Sequence, residues 1–169
     1  MNQYQESYFN LMTQTREHVF YVYAHIKFAD KWDGRINIFM ALTSSSSIGA
    51  WVLWQKLAWL WAFFIATSQV VTVIKPYLPF KKRLTYLKKL NDELERLSLD
   101  VEKDWYTISN GELTEREIHA KISDFKSKKV HIEQEFLRDI VLPERKDAVK
   151  EAREKNEIYF SNNCIGVSK

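Results

Sequence analysis

Glycine, proline and cysteine are scarce in this chain: four, three and one among 169 residues. So few turn formers argue against a fold of many short strands and favour a few long helices, so the chain reads as nearly all α. The single Cys164 cannot close an internal disulfide, which suits a reducing cytoplasm. Four scattered glycines build no phosphate-cradling loop, which removes nucleotide binding of the P-loop or Rossmann kind. No serine lies in a GxSxG context. His18, His25, His119 and His131 show no HxxxH or ExxH spacing, and with no CxxC a metal centre is not expected. Surface or interfacial histidines are the ordinary reading of all four. These absences argue against an enzyme and against any cofactor.

A dominant charge sign is also missing. The net charge is +3, and the lysines are interleaved with glutamates, so no nucleic-acid surface is expected. The N-terminus, MNQYQESYFN, lacks a basic stretch followed by an apolar one, so no cleavable signal peptide is expected. The length suits one domain, or one domain with an appendage.

What the chain does have is one concentrated apolar region. Between Arg35 and Lys75 the only formal charge is Lys56. A helix through that run would be roughly 58 Å long against a hydrocarbon core of about 30 Å, so it has to turn back. Placing the turn at the polar pair Gln55-Lys56 gives arms from Ile36 to Trp54 and from Leu57 to Ile74. Trp51, Trp54, Trp59 and Trp61 then crowd the bend beside Lys56, where indole rings favour the headgroup boundary. The second arm carries nine Leu, Ile, Val and Phe residues, worth roughly 3 to 5 kcal/mol of insertion before polar costs. The first arm carries Asn37 and the run Thr43 to Ser47, inserts poorly alone, and is expected to enter with the second as a hairpin. Basic residues flank both arms, which by the positive-inside rule puts both termini in the cytoplasm. A water-soluble bundle with a buried Trp-rich hairpin is the competing reading of the same run.

The flanks read as helices. Tyr4, Tyr8, Leu11, Met12, Val19, Val22, Tyr23 and Ile26 draw one apolar stripe, to lie along a membrane surface or pack on other helices, until Asp33-Gly34 breaks the pattern. Behind Pro76 and Pro79, Leu87, Leu90, Leu94, Leu97 and Val101 form a heptad seam expected to hold an oligomer. Ser109-Asn110-Gly111 makes a turn, and Thr114 with Glu117 forms a capping box flanked by a Leu113–Ile118 staple. The expected organisation is a helix at 1–34, a transmembrane hairpin at 35–75, a cytoplasmic antiparallel coiled-coil hairpin at 76–142, and a final helix and tail at 143–169.

Polar residues recur inside the arms. Asn37, Thr43, Ser44 and Ser47 on the first, and Thr67, Ser68, Gln69 and Thr72 on the second, either let the helices approach and hydrogen-bond or line a water-filled lumen between assembled copies.

The order of these parts resembles the SLATT family of bacterial two-transmembrane proteins, associated with nucleotide-signalled and other anti-phage conflict systems. The resemblance lies in WDGRINIFMALTSSSSIGAW, the short turn QK, the second arm running into KPYLPFKKR, and the helical hairpin behind it. It implies an inner-membrane effector that forms homo-oligomers in lipid and opens or disrupts the membrane, so that an infected cell stops growing or dies. This chain has no evident sensor domain, so its trigger is expected from a separate sensor protein or a nucleotide signal. A membrane-anchored scaffold, recruiting a partner through the heptad seam, is the alternative.

Overall fold

The computed structural model describes residues 1–45, 58–74, 80–138 and 142–163, and among them every regular element is a helix. In chain order these are α1 Gln3–Ser45, α2 Ala58–Ile74, α3 Phe80–Ser109, α4 Glu115–Leu137 and α5 Lys146–Asn163. The chain divides into two compact units, one of Met1–Ile26 with Thr85–Lys169, the other of Lys27–Leu84.

The first unit gathers the start of α1 with most of α3 and all of α4 and α5. Paired contacts fix their directions. Against α3, Gln5 Nε2 donates to the Ile108 carbonyl at 2.8 Å and the Tyr8 hydroxyl to that of Val101 at 3.3 Å, so the two helices are antiparallel. Against α4, Tyr4 meets His119 at 6.4 Å between rings and His18 meets Glu133 at 3.3 Å, so these two are parallel. Against α5, Phe9 meets Phe160 and Arg153 reaches back to Glu17, which is antiparallel again. The unit is an up-down-up-down four-helix bundle in which α1 touches each of the other three.

Its core is the two stripes read from the sequence, laid together. Tyr8 and Met12 of α1 cluster with Leu97, Val101 and Ile108 of α3 and with Ile118 and Phe125 of α4. Full burial of one such side chain is worth about 1.5 to 3 kcal/mol. The expected oligomer seam is therefore occupied within the chain: Leu87, Leu90, Leu94, Leu97 and Val101 are all buried, Leu90 and Leu94 completely. A period of three and four fixes which face is apolar but leaves its partner open, and here the partner is the same chain.

Helix ends follow the local chemistry. Asn2 and Gln5 exchange side-chain to backbone bonds of 2.8 and 2.9 Å at the start of α1. Gly111, at φ +73°, closes α3, with its N–H donating to Ile108 and that of Glu112 to Thr107, a Schellman pair that satisfies two terminal carbonyls. Three residues later Thr114 caps α4: its N–H donates to Glu117 at 2.8 Å and its hydroxyl accepts from the Glu117 N–H.

One expected boundary is missing. α1 runs unbroken through Asp33-Gly34. Glycine inside a helix costs only about 1 kcal/mol relative to alanine, and Asp33 is satisfied one turn on by Asn37 Nδ2 at 3.0 Å, so neither residue stops the helix. The second unit consists of the later part of α1, all of α2 and the start of α3. Among the described residues no helix is long and apolar enough to cross a membrane, so the expected transmembrane hairpin does not follow from these helices alone. α2, at 17 residues, rises about 25 Å, just under the hydrocarbon thickness. The expected turn at 55–56 lies outside the described residues.

Candidate functional site

α2 reads AWLWAFFIATSQVVTVI, without a charge, and cannot turn a polar face to water. Trp59 is 70% exposed, Phe63 63% and Val73 64%, while Phe64, Ile65, Val70 and Ile74 are also exposed. Leu60, Thr67, Ser68 and Val71 are half-buried along one face, and the rest of the helix surface, including all of positions 62 to 66, is exposed. A soluble surface helix turns a polar face to water; the exposed face of this one is mainly apolar. Phe39 of α1 meets Phe64 of α2 at 6.4 Å between rings, which brings the two helices of this unit side by side. On α1, Ile38 and Leu42 are exposed as well.

The polar residues of the arms are satisfied close to home. Thr67 and Thr72 each donate 2.8 Å bonds to the carbonyl four residues earlier, Phe63 and Ser68. Such back-bonding lets a hydroxyl sit in an apolar helix without a partner helix. Asn37 is exposed and donates to Asp33, Ser68 is half-buried, and Gln69 is exposed. The side chains of Thr43, Ser44 and Trp61 are outside the described ones, as are the whole residues Ser47, Trp51, Trp54 and Lys56. Of the four tryptophans expected at the bend, Trp59 is the described one, and it is exposed.

Sequence patterns did not point to the polar centre of the bundle. Arg16, 4% exposed, interrupts the apolar stripe between Met12 and Val19, and that interruption was the available signal. Its Nε and Nη2 donate to Glu102 Oε1 at 2.9 and 2.6 Å, and its guanidinium lies 4.4 Å over the Tyr159 ring. The Tyr159 hydroxyl donates to the other carboxylate oxygen at 2.7 Å. One charge pair thus ties α1, α3 and α5 together, and its atoms are engaged with one another, not with anything outside the bundle.

A second polar contact joins α1 to α4. Burial, helped by the positive charge of Lys129, holds the His18 imidazole down to a pKa of about 4. Glu133, 3.3 Å from Nδ1, pulls the other way, but it shares its carboxylate with Lys129 at 3.9 Å. His18 is therefore neutral at pH 7. Tyr8, buried and facing Asp104 and Asp100, has its phenol pushed well above the usual range and stays protonated.

A cavity of about 380 Å³ opens between α3 and α4 over Tyr8, Leu97 and Phe125. Its rim is already paired, Lys121 with Asp104 and Lys128 with Asp124, each at 2.7 Å. No group of three or more metal-ligating side chains occurs among the described residues. Among the described residues the most distinctive surface feature is the exposed apolar part of α2 and of the end of α1.

Searches against protein-family models, curated proteins and solved structures find no match to this chain. Function is accordingly read from the helices themselves.

Proposed function

We propose that this protein is a membrane effector: Lys27–Leu84 enters the bilayer as a helical hairpin, and the four-helix bundle stays on one side as its base. The observation that carries the reading is α2, free of charge and with Trp59, Phe63, Ile65, Val70, Val73 and Ile74 exposed outside the face that meets α1, which in water would present an apolar surface that monomeric proteins rarely tolerate. Lipid is the solvent such a helix suits, and the uncharged sequence extends beyond its described N-terminus to Leu57.

The bundle supports the same topology. Because Met1–Ile26 packs with Thr85–Lys169, both flanks of the hairpin belong to one compartment, which fits a segment that crosses an even number of times. The basic flanks favour the cytoplasm as that compartment. The resemblance to SLATT proteins then suggests the activity: copies assemble in the inner membrane and permeabilise it during phage infection, on a signal from a partner protein or nucleotide.

With the Leu87 to Val101 seam buried inside each bundle, assembly falls to the hairpins. The scaffold alternative loses the surface it relied on for the same reason. Induced expression tests the proposal directly. Loss of membrane potential and growth arrest are expected, with the chain in the membrane fraction; an intact potential would leave only an anchor, and recovery in the cytosol without detergent would overturn the membrane reading. Ser44→Leu with Ser47→Leu separates the roles of the first-arm hydroxyls. Abolished ion flux with insertion retained assigns them to a lumen, whereas unchanged flux assigns them to helix packing.

A further inference from the structure

On α1, Lys27, Lys31 and Arg35 follow one another at one-turn spacing, all exposed, and continue into Ile38 and Leu42 at 63% and 64% exposure. Charge ends on that face at Arg35 and apolar surface begins. Beside it stand two exposed aromatic residues in contact, Phe28 and Trp32 at 6.0 Å between rings, with the Arg35 guanidinium 5.8 Å from the Trp32 ring. Of the acidic residues of this stretch, Asp33 lies off the basic face and is engaged by Asn37, and Asp30 borders that face at its Lys27 end, away from Arg35. The imbalance extends to the whole unit. Lys27–Leu84 holds eight Lys and Arg against two Asp, whereas the rest of the chain holds seventeen against twenty.

We infer that residues 27 to 35 form a collar that binds anionic phospholipid headgroups, with Lys31 and Arg35 donating to lipid phosphate and Trp32 and Phe28 seated at the glycerol level. The inference rests on the membrane reading above and adds to it the lipid class. A nucleic acid or an acidic protein would satisfy the cations but would leave Phe28, Trp32, Ile38 and Leu42 against a polar surface. A bilayer supplies both chemistries in the order the helix presents them, negative headgroups and then hydrocarbon.

The test uses the full chain, synthesised without cells in the presence of vesicles and then floated on a density gradient. One set of vesicles is pure phosphatidylcholine, the other phosphatidylcholine with a minor share of phosphatidylglycerol. Binding to the anionic set is expected to be stronger and to weaken with added salt. Each cation removed should cost about five-fold, so Lys31→Gln with Arg35→Gln should reduce the anionic preference by about 25-fold while leaving binding to neutral vesicles unchanged. The exchange Lys31→Arg with Arg35→Lys should retain it. Equal binding to both vesicle types, indifferent to salt and to the Gln substitutions, would overturn the collar and leave the hairpin standing. Flotation with neither set would overturn the membrane reading itself. A difference between wild type and the Gln variant toward polyglutamate, but not toward vesicles, would reassign the collar to an acidic macromolecule and overturn the lipid assignment.

Discussion

Two polar residues of α1, the half-buried His18 and the buried Arg16, set how the bundle responds to its surroundings. His18 is held neutral, with a folded pKa of about 4 against 6.5 in an unfolded chain. Above pH 6.5 neither form takes up the proton. Between 6.5 and 4 the unfolded chain binds a proton that the folded one refuses, so stability falls as the pH drops through that window, by at most about 3 kcal/mol. Urea denaturation at pH 7.5 and pH 4.5 should show the loss, and His18→Gln should flatten it; the same slope in the variant would assign the acid sensitivity to the carboxylates. Arg16 behaves differently, since its removal strands a carboxylate. Arg16→Ala is expected to cost about 3 to 5 kcal/mol, whereas Arg16→Met with Glu102→Leu should cost much less, because an apolar pair leaves no unpaired charge. The interruption of the stripe at Arg16 was visible in the sequence. Its partners, 86 and 143 residues away, were not.

Helices were legible where their ends carry local chemistry. The Ser109 to Gly111 turn and the Thr114–Glu117 box fall where the sequence put them, because each depends on residues within one turn. The partner of an apolar face has no such local signature. That is why the stripe from Tyr4 to Ile26 left membrane and protein open, and why the seam from Leu87 to Val101 read as intermolecular. Glycine shows the same distinction in energies of opposite sign. Gly111 sits at positive φ, so Gly111→Ala should destabilise by about 1 kcal/mol; Gly34 lies in regular helix with nothing within 4 Å of an added Cβ, so Gly34→Ala should stabilise by about 0.5 to 1 kcal/mol. Thermal melts of the detergent-solubilised protein would resolve the two signs. Thr114→Ala should cost about 1 kcal/mol by the same measurement.

At the scale of the whole molecule, the second unit, Lys27–Leu84, is inserted in sequence between the two parts of the first, Met1–Ile26 and Thr85–Lys169. Replacing 27–84 with a short Gly-Ser linker should give a monomeric helical protein that remains in the supernatant without detergent and melts cooperatively, since α1 and α3 are antiparallel, which carries both cut ends to the same end of the bundle. Aggregation of that protein would mean that the bundle depends on the unit removed. Leu94→Asp in the full chain is expected to unfold the bundle by placing a charge at a fully buried position. A crosslinking ladder that persists alongside lost bundle helicity would assign assembly to the hairpins.

The bundle can close only when the strip of α1 ahead of the insertion meets the strip of α3 behind it. These two strips can meet only where they share a compartment, so under the proposed membrane reading a closed bundle requires an even number of crossings between Ile26 and Thr85.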